Sequence, residues 1–235
     1  MKAKVLELTL PKLTLEEIFL AQGSNFTARP PHPRILELNQ RIIAEAAALI
    51  QPKVVWLAVD VLKVDGQAIY VSGGEKFTSK LLTQAAGTAD KLIVAAITLG
   101  PELETQVAAY QAAGRMSDAF ALDSAGSAYI ALSSPRFCDS LKKTYNSDGL
   151  MTTFPMGPGH SYWPDLREQL VIFKLLQPEA IGMQLSESNL IMPRKSVSMV
   201  IGLGRNLPEL RGKTHCDFCP QHQKCAMHKV THLNR

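Results

Sequence analysis

No run of about 18 apolar residues, the length that crosses a bilayer as a helix, occurs in this chain. Residues 1–17 (MKAKVLELTLPKLTLEE) interleave apolar with charged and polar positions and lack the continuous apolar stretch of a secretory leader. Neither a membrane partner nor export is therefore expected, and the expected compartment is cytoplasmic. A basic stripe is missing as well. The net charge is +4, and the basic residues are scattered apart from small clusters such as Lys142-Lys143. That pattern excludes nucleic acid as an expected partner. There is no Walker A loop, no G-x-G-x-x-G turn, no G-x-S-x-G elbow and no H-E-x-x-H pair, which removes several common enzyme classes. Internal repeats and low-complexity segments are also absent. Cysteine is scarce: there are four, three of them within the last twenty residues. In a cytosolic chain that grouping favours metal over disulfides.

What is present suits one globular domain with a small appendage. The chain has 235 residues, 46% apolar and 20% charged, enough to bury a core. Residues 1–34 read as an N-terminal leading segment, residues 35–211 as the body and residues 212–235 as a Cys/His-rich tail. In the leading segment, Leu6, Leu8 and Leu10 alternate with polar residues as in a strand. Thr14 and Glu17 form a capping-box pattern for a short helix through Leu20. Three prolines within Pro30–Pro33 make a stiff connector.

The body opens with a helical face at Ile35, Leu38, Ile42 and Leu49. Strand-like residues follow over Val54–Leu62 and Ala68–Val71, joined across Asp65-Gly66 as a hairpin. A helix is expected over Phe77–Ala86. The nearly continuous apolar run Leu92–Leu99 is the pattern of a strand buried on both faces. Helices are then expected from Pro101 to Ala113, from Asp118 to Leu132, and from Asp165 to Leu176 with Leu166, Leu170 and Phe173 inward. Short strands close the body near Ile181–Leu185 and Val197–Leu203.

Three segments carry candidate chemistry. Between Pro155 and Gly159, four residues are Pro or Gly, so the chain loops there. Gly157 and Gly159 let backbone N–H groups face a ligand, and Pro158 limits the freedom lost on binding. His160, Tyr162 and Trp163 add a titratable ring and aromatic faces that suit a planar heterocycle or a cationic sulfonium. A structural loop packed by its own aromatics is the competing reading. Glu187, flanked by serines after a short strand, can accept hydrogen bonds from a ligand amine or hydroxyl, or sit in a solvated turn. Thr98–Glu102 is a turn and helix start after a buried strand, a place where sheets often hold ligands. Cys138 stands alone and reads as an inert thiol.

The tail is the most specific signal. Cys216 and Cys219 lie on one tight turn, Cys225 follows after five residues, and His228 stands three further on. Three thiolates and an imidazole fit tetrahedral zinc. The same thiolates fit an iron–sulfur cluster, and both remain open beside a metal-free tail or a redox-sensitive dithiol. His215, His222 and His232 are alternative fourth ligands.

The segments Gly157–Pro164, Ile181–Ser188 and Met192–Ser198, together with Ala96–Glu104 and Leu122–Ser127, resemble the activation domain of cobalamin-dependent methionine synthase, and most closely its stand-alone, single-domain relatives. The resemblance spans roughly residues 35–205. It implies an α+β fold with a curved, largely antiparallel sheet flanked by helices. It also implies an accessory role in corrinoid-dependent methyl transfer: binding S-adenosylmethionine, a corrinoid (cobalamin) protein or methyltransferase, or both, for reductive reactivation of cobalamin, with an electron donor as a further partner. Whether catalysis occurs on this chain is left open. The alternative is a redox or binding protein that carries metal or an iron–sulfur cluster and docks a corrinoid protein without S-adenosylmethionine catalysis.

The family cleft carries Arg-x-x-x-Gly-Tyr. Gly159 matches its Gly, but Pro155 stands at the Arg and His160 at the Tyr. An Arg pairs bidentately with a carboxylate, and losing such a bond costs about 1.5–3 kcal/mol. Tyr162 and Arg167 are the nearby groups that could compensate.

Overall fold

The computed structural model describes residues 2–24, 30–210, 213–220 and 223. In chain order the elements are β1 (Lys4–Glu7), α1 (Leu15–Ala21), α2 (Pro33–Leu49), β2 (Lys53–Asp65), β3 (Ala68–Val71), β4 (Lys76–Thr78), α3 (Lys80–Ala86), β5 (Lys91–Thr98), α4 (Glu102–Ala112), α5 (Met116–Tyr145), β6 (Met151–Thr152), α6 (Glu168–Leu176), β7 (Gln184–Leu185), β8 (Ile191–Met192) and β9 (Ser196–Gly204).

The most apolar run of the sequence becomes the centre of the fold. β5 pairs antiparallel with β2 on one side and β9 on the other. Leu92, Val94 and Ala96 face one core with α3 and α6, while Ile93, Ala95 and Ile97 face another with the C-terminal half of α5. Both faces of the strand are covered, which is why it carries no polar alternation. The full sheet runs β4-β3-β2-β5-β9-β6, with β1 added against β2. β2 is long enough to serve two partners. Its first half pairs with β5, its second half with β3, and the register shifts between Val61 and Lys63. That irregularity bends the strand and curves the sheet. The result is an α+β fold with a curved antiparallel sheet flanked by helices.

Several local expectations are met. Thr14 and Glu17 form a reciprocal capping box at the start of α1. Asp65 and Gly66 turn between β2 and β3. The leading segment packs into the body: β1 pairs with Lys53–Trp56 of β2, and Ile18 and Phe19 of α1 are buried beside Ile42, Leu99 and Leu122. No helix among the described residues is long and apolar enough to cross a membrane.

Others are corrected. Phe77 is in strand β4, not in a helix; Ser79 caps α3 by accepting the Leu82 N–H, and the helix begins only there. α5 does not end at Leu132 but runs through Pro135 to Tyr145. A proline inside a helix costs about 3 kcal/mol. Burial of Phe137, Cys138 and Leu141 against Trp56, Ile93 and Ile201 opposes that cost. In α6, Leu170 points to solvent, and Gln169, Ile172, Phe173 and Leu176 point inward. The strand expected at Ile181–Leu185 shrinks to β7, because residues Pro178–Ile181 form a 3-10 turn.

Candidate functional site

β9 sets the position of the loop. Its residues Ser198, Val200 and Gly202 face the side on which residues 153–158 run antiparallel to it: Met156 exchanges backbone hydrogen bonds with Val200, and the Thr153 N–H donates to the Gly202 carbonyl. The approach is close. A Cβ on Gly157 would lie 2.6 Å from the Ser198 carbonyl oxygen, which cannot move without breaking the sheet. Gly159 sits at φ +92°, a left-handed conformation that favours glycine. From there the chain turns tightly, with the Gly159 N–H donating to the Trp163 carbonyl and the Trp163 N–H to the His160 carbonyl, both at 2.8 Å. Trp163 anchors the turn in the core, edge-on to Phe77.

Beneath the loop lies a buried polar pair that the sequence did not single out. The Gln169 side chain donates to the Pro158 carbonyl at 3.4 Å and accepts from the Ser198 hydroxyl at 2.7 Å. It thereby ties loop, helix and sheet together. Its signal was a lone Gln on an apolar helix face, weaker than the Leu170 beside it.

On the outer side the rings gather. His160 and Tyr162 stack with centroids 5.1 Å apart and planes 5° from parallel. The Gly157 N–H donates to the Tyr162 hydroxyl at 3.3 Å. Burial raises the Tyr162 pKa well above the usual phenol range; the Gly157 bond opposes it, and the nearby Cys216 and Cys219 add to it. His160 keeps an exposed edge, but packing against its faces desolvates the ring and lowers its pKa.

The tail completes this cluster. His215–Phe218 form one 3-10 turn, capped by Thr214 and Asp217 acting reciprocally. The His215 ring lies 5.8 Å from His160 and 5.6 Å from Tyr162. Phe218 stacks on Phe154 at 5.7 Å, and the Ser161 hydroxyl and Cys219 thiol meet at 2.8 Å. Burial lowers the His215 pKa, and His160 lowers it further. The nearby Pro155 carbonyl and the charge of Asp217 act the other way. Among the described residues, His215 Nδ1 is buried without a hydrogen-bond partner, as is Trp163 Nε1.

The structure thus brings Gly157, Pro158, Gly159, His160 and Tyr162 together with Cys216 and Cys219. Glu187 is exposed in the turn after β7, where the Ser186 and Ser188 hydroxyls meet at 3.0 Å. Among the described residues no hydrogen bond, ion pair or ring contact joins Glu187 to the loop. Cys225 and His228 lie outside the described residues, as do His222 and His232, and no group of three or more candidate metal ligands occurs among the described residues. The Cys219 N–H donates to the Cys216 carbonyl across the turn expected for that pair. Arg167 is engaged with Asp165, 2.7 Å away.

The remaining motifs converge on a second cluster. The Lys195 side chain is 9% exposed, and its Nζ lies 2.9 Å from both Asp123 Oδ1 and Ser127 Oγ. Its backbone N–H donates to Glu104 Oε1 at 2.7 Å, and its carbonyl accepts from Leu99. Gly126 leaves room for it, since a Cβ there would lie 3.0 Å from Lys195 Cε and 2.8 Å from Leu103 Cδ2. The Thr98–Glu102 turn is part of this packing, with the Ser196 hydroxyl donating to Thr98 Oγ1.

No protein-family model matches the chain, and neither does any curated protein. Among solved structures it is similar to the MetH reactivation domain bound to AdoHcy, with 18% sequence identity, 86% of this chain and 78% of that chain covered, and a TM-score of 0.57. The curved antiparallel sheet and its flanking helices are therefore the methionine synthase activation-domain fold.

Proposed function

We propose that the chain is an accessory module of corrinoid-dependent methyl transfer, in which residues 155–163 bind S-adenosylmethionine or its demethylated product and serve reductive reactivation of cobalamin held by a partner protein. Residues 35–211 would form the binding body and residues 212–235 an attached tail. The observation that carries this reading is the fold likeness to a domain solved with AdoHcy, on a chain whose loop has a glycine-spaced approach to β9 and an aromatic outer face.

The residues fit such a guest in part. The His160 and Tyr162 faces suit an adenine ring or a sulfonium cation. A cation for the guest's carboxylate is not supplied by Pro155, and Arg167 is already paired with Asp165. When bound, S-adenosylmethionine supplies the methyl group. The protein's part is to hold and orient it, with Gln169 and Ser198 fixing the loop from below. His160 holds the ligand rather than taking a proton, since methyl transfer to a reduced corrinoid needs no general base. Glu187 would serve the guest only from the neighbouring hairpin.

Calorimetry and thermal shift with S-adenosylmethionine, AdoHcy and cobalamin test the reading. Micromolar binding of either adenosyl compound is expected; no heat and no shift with any of the three removes it.

A second reading concerns the tail. Cys216 and Cys219 flank a single turn, and with Cys225 and His228 they would hold zinc or an iron–sulfur cluster. That cluster would make the chain an electron-carrying partner of a corrinoid protein. Metal analysis and a visible spectrum of anaerobically purified protein decide it: iron with sulfide, zinc alone, or a metal-free folded chain that ends the reading.

A further inference from the structure

The tail and the loop meet where the proposed ligand would sit. His215 reaches position 160, at which the resemblance places the ligand-binding Tyr: its ring packs against His160 and Tyr162. Phe218 covers Phe154, and Cys219 meets Ser161. The segment is organised by itself. Thr214 and Asp217 cap its one turn, and the Asp217 and Cys219 N–H groups donate within it. Ring contacts and a hydroxyl–thiol contact join it to residues 154–162, and Phe218 packs against the edge of the core; a short segment on irregular backbone opens locally more readily than a strand inside the sheet. Among the described residues His215 Nδ1 is buried without a partner, which marks the contact as imperfectly satisfied.

We propose that residues 213–219 form a tethered lid that occupies the ligand face of residues 154–162, so that the lid and an adenosyl-type guest bind there in exchange. The proposal rests on the reading of that loop as the ligand face. A lid closed nine-tenths of the time reduces apparent affinity about tenfold, because only the open fraction is competent.

The test compares the full-length chain with its His215→Ala, Phe218→Ala and doubly substituted forms, using AdoHcy as the probe. These side chains are half-buried surface positions, and an unchanged thermal transition confirms folding. Calorimetry should show AdoHcy bound about tenfold more tightly by the double variant. Equal, measurable affinities overturn the lid and leave the proposed function standing. No binding by any form overturns the proposed function and the exchange with it. Hydrogen exchange reads the lid directly. Without ligand, exchange over residues 157–163 should rise in the double variant, and unchanged exchange there overturns the cover. In the unmodified chain, saturating AdoHcy should speed exchange at residues 214–219. Slower exchange there would mean that the tail closes over the guest, and competition would be overturned.

Discussion

The Lys195 cluster and the His160 cluster are both built from motifs of the same resemblance, yet one is held by a paired charge and the other by ring contacts. Lys195 has its ammonium shared between Asp123 and Ser127 and both its backbone groups bonded. Around His160 the contacts are ring faces, and among the described residues His215 Nδ1 is buried without a hydrogen-bond partner, as Glu102 Oε2 is beside the first cluster. Buried polar groups in a finished core are paired almost without exception. A buried charge is tolerated when it is paired, and its partners then become structural. The first cluster locks α4, α5 and β9 together; the second is the one that the proposed lid would exchange for a guest.

The largest expected difference comes from removing the centre of each cluster. Lys195→Ala opens a hole and leaves Asp123 and Ser127 without their cation, while the backbone N–H to Glu104 remains. Asp123 is 42% exposed and can resolvate, so the loss is about 3 kcal/mol, toward the lower end of that for breaking a buried pair. For a chain of this length that is roughly 10 °C in Tm. His215→Ala should cost about 0.5 kcal/mol or less. Urea titration of the two variants measures both, and similar losses would erase the contrast between a lock and a lid. Next in size is Gly157→Ala, whose Cβ would collide with the Ser198 carbonyl at 2.6 Å. It should cost about 2 kcal/mol through forced separation of loop and strand and weaken AdoHcy binding as well, whereas Lys195→Ala should leave affinity unchanged in whatever fraction remains folded.

How much of this the sequence made legible follows the range of the interactions. The apolar run at β5, the Asp65-Gly66 hairpin and the Thr14–Glu17 cap are local patterns, and each has one physical reading. Phe77 was misplaced because its spacing to Leu81 and Leu82 imitates a helix face, although Ser79 carries the N-cap signal that ends that reading. α5 was cut short because Pro135 outweighs propensity locally, while Phe137, Cys138 and Leu141 continue the buried stripe. Leu170 lost the inward position to Gln169, which finds the Pro158 carbonyl and Ser198 there, partners invisible to any periodicity. The loop glycines were read as ligand-facing, yet Gly157 is first required by its approach to β9. Nothing in the spacing joins residues 154–162 to residues 213–219. Their contact is tertiary, made by single rings on two irregular segments with no repeat to betray it.

Gln169 sharpens the comparison at its lower boundary, being a hydrogen-bonded group beneath the loop that carries the rings. Gln169→Leu keeps the volume but leaves the Ser198 hydroxyl and the Pro158 carbonyl without partners, for a loss of about 1.5 kcal/mol. If the lid reading holds, the loosened loop should weaken the hold on His215 too, seen as faster hydrogen exchange at residues 214–219; a change confined to stability would make Gln169 part of the lock instead.

The smallest effect is expected at Cys138, which lies in the packed half of α5 far from either cluster's chemistry. Burial pushes its thiol up from 9.0 to about 12, against a smaller pull from Lys142. Below pH 9 the thiol is neutral in both folded and unfolded chains and contributes no pH dependence. Above it the unfolded chain loses the proton first, so the unfolded state binds fewer protons and stability falls as pH rises toward 12. At pH 8 the native thiol should therefore stay unmodified by iodoacetamide over hours, and Cys138→Ala should remove part of the decline in stability between pH 9 and 11. Rapid alkylation of Cys138 in the native chain, read by peptide mass mapping, would show that α5 opens beyond Pro135. The helix that carries Asp123 and Ser127 would then be no firmer than the lid.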